Sequence, residues 1–171
     1  MKYYKYIWEE EDRVTNLLEL DDEYFCYRAI FLGEKEAFST NKISQDDPYF
    51  LPEGSFEEVL DELEEISTEE FISTWKKVNK NLTTHLKRIK TTFYKGKRVK
   101  ARVLCFYPQG VIFDCEEAFN GIGNYEDCLA EFGYKRMYPN QVFELIVSAI
   151  DEENLMIQLE TSSTYHRNKK T

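Results

Sequence analysis

Two histidines, His85 and His166, and four cysteines, Cys26, Cys105, Cys115 and Cys128, are the only imidazoles and thiols in this chain. A zinc site usually draws on ligands close together in sequence, because a short turn must aim two of them at one ion. The cysteines are 79, 10 and 13 residues apart and form no CxxC or CxxxH element. They read as buried or half-buried thiols in a reducing cytosol, and neither a metal nor a cofactor is expected. His85 reads as a partly buried structural side chain, and His166 falls in a polar C-terminal stretch. A histidine-based triad has little to draw on, and no GxSxG, GxxxxGK[ST] or HExxH element is present. Carboxylates are abundant, at Asp21, Asp22, Asp46, Asp47, Glu57, Glu58, Asp61, Glu62, Glu64 and Glu65. Runs of acids of this kind read as a solvated face. The chain is expected to bind rather than catalyse.

The chemistry that stands out is electrostatic. Within a net charge of −10, residues 1–75 hold 21 acids and 6 bases, residues 76–102 hold 11 bases and no acid, and residues 103–171 hold 11 acids and 5 bases. The basic stretch comprises Lys76, Lys77, Lys80, Lys87, Arg88, Lys90, Lys95, Lys97, Arg98, Lys100 and Arg102. It reads equally as a footprint for phosphate or as a neutralising partner for the acidic N-terminal block. The overall negative charge slows encounter with a polyanion. Aromatics reach 15%, which supplies core volume and stacking surface alike.

These groups must be positioned by a chain of 171 residues, enough for one large domain or two small ones. Residues 1–66 read as an acidic, strand-rich domain. Tyr3–Trp8, Arg13–Leu20, Tyr24–Leu32 and Lys35–Thr40 suit an antiparallel meander broken at polar turns. Residues 41–54, with Pro48 and Pro52, read as a loop, and 56–66 as a short acidic helix. Residues 67–94 read as a long amphipathic connector. Ser67 and Glu70 fit a capping box. Phe71, Trp75, Val78, Leu82, Leu86, Ile89 and Phe93 then recur as one helical stripe of roughly 20–25 residues. Lys76, Lys77, Lys80, Lys87, Arg88 and Lys90 supply its basic face. Residues 162–171 are expected to be a disordered tail. No stretch approaches the roughly 20 apolar residues of a membrane span, and Met1–Trp8 does not read as a signal peptide, so a cytoplasmic, non-membrane protein is expected.

Residues 95–161 turn to strands: Val99–Phe106, Val111–Cys115, Gly121–Tyr125, Gln141–Ile150 and Leu155–Glu160. Five strands in so short a length suit a closed barrel, because closure removes exposed edges. The fold class is therefore α+β: an N-terminal meander with helices, a long amphipathic helix and a C-terminal five-stranded barrel. Gly96-Lys97-Arg98-Val99-Lys100-Ala101-Arg102-Val103 resembles the opening strand of the S1-type OB-fold family. Gly110-Val111-Ile112-Phe113-Asp114 is similar to its glycine-led second strand, Gly121-Ile122-Gly123 to the third, and Ala149–Asn154 with Leu159 to its closing turn and strand. The resemblance implies an RNA- or single-stranded-nucleic-acid-binding barrel. Where the family places stacking aromatics, this sequence has Gln109 and Ile112. Asn124 stands where histidine is frequent, and Leu155 and Met156 where arginine is. Phe106, Tyr107, Phe113, Phe119 and Tyr125 are the substitute stacking candidates. With Asn124, Lys97, Arg98, Lys100 and Arg102 they make up the expected nucleic-acid site.

The N-terminal part, through Ile66–Phe71 and Trp75, resembles small bacterial domains without an assigned activity, some of them immunity or inhibitor proteins. That resemblance implies a second kind of partner, a basic protein covered by the acidic surface.

Overall fold

Aromatic and β-branched residues draw the first forty residues into the expected meander: β1 (Lys2–Trp8), β2 (Val14–Leu20), β3 (Cys26–Leu32) and β4 (Ala37–Ser39). The computed structural model describes residues 1–8, 13–43 and 50–168. The polar break at 9–12, the loop residues Asp46, Asp47 and Pro48, and residues 169–171 lie outside the described residues. The chain forms two units, Met1–Asn81 and Leu82–Thr171, each with its own core.

In the first unit a short β5 (Glu64–Glu65) returns to pair with β1, giving the antiparallel order β4-β3-β2-β1-β5. Helix α1 (Thr68–Val78) lays Phe71 and Trp75 over Leu17 and Ile30 of this sheet. The two rings stack with centroids 6.1 Å apart. Burying each such side chain contributes about 1.5–3 kcal/mol. Ser67 caps the helix, its hydroxyl accepting from the Glu70 amide at 3.1 Å. The acidic helix expected over 56–66 is only a 3-10 turn at Glu57–Glu62 that leads into β5. It buries no side chain, so no apolar stripe holds a longer helix.

The single helix expected over 67–94 is three pieces: α1, α2 (Lys80–Thr83) and α3 (Leu86–Thr92). Asn79 explains the first break. Its side-chain amide donates to the Trp75 carbonyl at 3.0 Å, and Ser39 Oγ donates to its Oδ1 at 2.9 Å. A side chain bonded this way competes with the next helical turn. Asn81, Thr83 and Thr84 are weak helix formers just beyond. The apolar stripe divides accordingly. Phe71 and Trp75 serve the N-terminal core, whereas Leu82, Leu86, Ile89 and Phe93 serve the barrel. The first unit accordingly runs to Asn81, and the second begins at Leu82.

In the second unit β6 (Arg98–Tyr107), β7 (Gly110–Asp114), β8 (Gly121–Gly123), β9 (Val142–Asp151) and β10 (Met156–Glu160) close into a barrel of order β10-β8-β7-β6-β9. β8 and β10 run parallel, and every other pair is antiparallel. Helix α4 (Tyr125–Phe132) lies in sequence between the third and fourth barrel strands. This arrangement is compatible with an OB-like fold. Val103, Val111, Phe113, Leu145, Val147 and Ile157 fill the interior, with Ile89 and Phe93 supplied by the α3 segment and Cys128 by α4. Closure pairs both sheet edges.

Two tight features fix this barrel. Gly110 ends the β6–β7 hairpin at φ +147°, where a Cβ would stand 2.3 Å from the Gly123 carbonyl oxygen. Asn124 ends the third strand two residues before its expected limit and caps α4, its Oδ1 accepting from the Asp127 amide at 2.9 Å.

The expected disordered tail is, over Ser162–Asn168, the helix α5. It packs on β9. Its buried Tyr165 gives it an apolar anchor, and Glu131 accepts from the Ser163 amide at 2.9 Å. A helix start needs such acceptors for its unpaired amides. Among the described residues, no helix is long and apolar enough to cross a membrane.

Candidate nucleic-acid interface

Strand β6 sets out the candidate surface. Val99, Ala101 and Val103 point into the barrel, so Arg98, Lys100 and Arg102 alternate outward. A bulge between Val103 and Cys105 shifts the register, pairing Cys105 with Ile112 and Phe106 with Val111. Phe106 thus shares the sheet side of an interior residue yet is 40% exposed, which places it at the barrel's rim. Tyr125, the first residue of α4, meets it edge-on with centroids 5.9 Å apart. Asn124, beside it, is exposed but spends its side-chain oxygen on the helix cap.

The cations of β6, and Lys97 just before it, differ in what they are free to do. Lys97 is half-buried, donating to the Thr92 carbonyl at 2.8 Å with its ammonium 4.7 Å from the Phe93 ring centre. Arg98 pairs with Glu144 at 2.6 Å, and Arg102 loosely with Glu116 at 3.6 Å. Lys100 is exposed and makes no ion pair among the described residues.

Two stacking candidates are corrected. Phe113 and Phe119 lie in the barrel core, fully buried, so neither offers a face to a base. Strand alternation explains Phe113, because it shares the inward side with Val111. Ile112, turned to the other side, is only 1% exposed, so the middle of β7 presents no platform either. Tyr107 is half-buried, its hydroxyl hydrogen-bonded to the Cys105 thiol. Of the five aromatic candidates, Phe106 and Tyr125 come together at an accessible place.

The helical cations divide as well. Arg88 pairs with Glu117 at 2.6 Å, and Lys90 with Glu152 at 2.5 Å. Both partners lie in loops that join barrel strands, so these two bases clamp α3 to the barrel. Lys76, Lys77, Lys80 and Lys87 are exposed and make no ion pair among the described residues. Neutralisation is therefore local and partial, and cations remain available on each unit.

In the second unit three exposed tyrosines lie outside the expected set: Tyr94, Tyr134 and Tyr138, at 62%, 79% and 50% exposure. Each falls in a connection rather than a strand. Their signal is adjacency, in Tyr94-Lys95 and in Tyr134-Lys135-Arg136.

Three of the thiols are poor nucleophiles. Burial pushes Cys105 up to about 12, against a smaller opposing effect of its bond with Tyr107. Burial, reinforced by Asp127 and Glu131, pushes Cys128 up to about 12 as well. Cys26 is raised further by burial. Thiols held protonated are neither attacking groups nor ready metal ligands. Among the described residues, no three of His, Cys, Asp and Glu gather as a metal-binding group. His85 is exposed just before α3, not partly buried as expected, because the stripe passes through Leu86 instead. His166 is exposed on α5.

No protein-family model matches the chain, and no curated protein matches its sequence.

Proposed function

We propose that this is a non-catalytic binding protein whose OB-like barrel, of S1 type, binds RNA or single-stranded nucleic acid. The observation that carries this reading is the course of β6. An outward row of cations, in which Lys100 makes no ion pair among the described residues, leads to the Phe106–Tyr125 pair at the rim, where Phe106 is exposed and Tyr125 half-buried. Single-stranded nucleic acid needs a cationic track for its phosphates and aromatic faces for its bases. The β7–β8 face, closed at Ile112, is the weaker candidate, so the reading shifts the site toward β6 and the rim. The four free cysteines support a reducing, cytoplasmic setting. The test is fluorescence anisotropy with a labelled single-stranded RNA across a salt series. Affinity should fall linearly on a log–log plot, by about 0.7 log units per log unit of salt for each phosphate contacted. Absence of binding at low salt ends the proposal.

One observation favours a second reading. Glu53, Glu57, Glu58, Asp61, Glu62, Glu64, Glu65, Glu69 and Glu70 are all exposed, and Lys5–Glu64, at 2.7 Å, is the ion pair this run makes among the described residues. Such a surface suits a basic protein partner, as an immunity or inhibitor protein would use. A stoichiometric basic protein recovered from the native cell, lost on reversing Glu57, Glu58 and Asp61 to lysine, supports it.

A further inference from the structure

We infer that Tyr94 is a second stacking platform for an unpaired base, at the turn that enters the barrel's first strand. This rests on the nucleic-acid reading above and extends it beyond the rim pair. A lone exposed aromatic is ordinary on a protein surface. Tyr94 differs in its rigidity and in its charge environment.

The rigidity comes from the turn. The Lys97 amide donates to the Tyr94 carbonyl at 3.0 Å, and Gly96 adopts φ +90°, so residues 94–97 form a type II turn. Gly96 is required there twice over, since a Cβ would also stand 2.7 Å from the Tyr165 hydroxyl. The turn is bolted to β9: the Gly96 amide donates to the Val147 carbonyl at 2.8 Å, and the Val147 amide to the Lys97 carbonyl at 2.9 Å. It is tied to α3 by the Lys97 ammonium on the Thr92 carbonyl. Phe93 is buried in the core while its neighbour Tyr94 turns outward. An aromatic ring on a fixed backbone with only two side-chain torsions loses little entropy on binding.

The charge environment supplies the ligand class. Tyr94 lies in the acid-free stretch 76–102. Lys95, at the tip of its turn, and Lys87 on α3 are exposed and make no ion pair among the described residues. Glu152 and Glu144, the carboxylates that face α3 and the start of β6, are engaged by Lys90 and Arg98. A flat π-face among uncommitted ammonium groups fits a nucleotide, base on the ring and phosphate on the lysines.

The experiment uses the full chain and a single-stranded RNA carrying 2-aminopurine, with anisotropy for affinity and quenching for stacking. Tyr94→Ala is expected to weaken binding roughly 5- to 150-fold, the range for loss of one base–aromatic stack, to reduce quenching, and to leave the salt slope unchanged. Tyr94→Phe should stay within about two-fold of the parent. Thermal melting of Tyr94→Ala should match the parent, since the ring contributes nothing to the core. Parent-like affinity of Tyr94→Ala, with Lys100→Glu still impaired, overturns this inference and leaves the barrel reading intact. A Phe variant as weak as the Ala variant overturns stacking in favour of the hydroxyl. A parent chain that fails to bind removes both.

Discussion

Arg28 and Glu19 face each other across β3 and β2 as a buried, two-pronged ion pair. Arg28 Nε donates to one carboxylate oxygen, and Nη2 donates to the other at 2.9 Å. The Tyr3 hydroxyl donates to Glu19 Oε1 at 3.0 Å, and the guanidinium lies 5.3 and 5.0 Å from the Phe71 and Trp75 ring centres. Each charge is therefore hydrogen-bonded where the α1 rings cover the sheet. Removing one partner strands the other, at about 3–5 kcal/mol, whereas replacing both by apolar groups is often close to neutral. Glu19→Leu and Arg28→Met are each expected to lose about that much in urea denaturation, and the double variant to regain most of it. Losses that simply add would show that the two side chains act independently.

Gly110 tests the barrel's closure at its tightest point. Its φ of +147° is a conformation other residues rarely adopt, and the Gly123 carbonyl leaves no room for a Cβ. Gly110→Ala is expected to cost at least ~2 kcal/mol, since strained backbone alone accounts for about 1–3. Gly133→Ala is the control. It too has positive φ but meets open space, so its loss should be the smaller. Equal losses in thermal melts would mean that crowding against Gly123 contributes nothing.

What could be read from the residues follows from how local the deciding physics is. The β1–β4 meander and the barrel strands were legible because alternation and turn residues are local signals. The break at Asn79 was not, because it depends on Ser39, forty positions away, as well as on the Trp75 carbonyl. Helix α5 was hidden in polar sequence, since Tyr165 finds its pocket and Ser163 its acceptor only after the barrel has formed. At the site, the outward basic row of β6 was legible by period two. The inward fate of Phe113 follows from that same period once Val111 is known to be interior, but the bulge that lifts Phe106 to the rim does not. Tyr94 carried its signal in composition alone, among bases, where no strand pattern drew attention to it.

Core and interface should separate cleanly under mutation. Phe113→Ala empties a fully buried position and is expected to cost about 3–5 kcal/mol in denaturation. Lys100→Glu alters an exposed side chain and should change stability by no more than about 0.5 kcal/mol. Binding should respond the other way. Lys100→Glu is expected to weaken single-stranded RNA uniformly across sequences and to flatten the salt slope by about 0.7 or more. Arg98→Glu should weaken it less, because Arg98 is already committed to Glu144. An RNA affinity indifferent to Lys100 but sensitive to Lys76 and Lys77 would move the contact surface to α1.

Glu131 gives the docking of α5 a pH dependence whose direction is fixed. Burial alone would raise its carboxyl, but hydrogen bonds from the Ser163 backbone and hydroxyl, the Thr161 hydroxyl and the Ser162 backbone outweigh this and hold it below the usual range. A carboxyl more acidic when folded adds stability above its unfolded pKa, about 4.3 for glutamate, and that stability disappears as pH falls through the lowered value. Docking of α5 should therefore be complete at neutral pH and loosen progressively below roughly pH 4. The Tyr165 ring signals in NMR report it, because that ring is buried only while the helix is seated. In the parent chain they should leave their docked positions on acidification. Glu131→Gln keeps the shape and an accepting oxygen but removes the titrating charge, so its Tyr165 signals should shift less on acidification than the parent's. A Gln variant that titrates like the parent would assign the acid sensitivity to another group, with Glu160, which accepts from Asn168 at 3.2 Å, the next to replace.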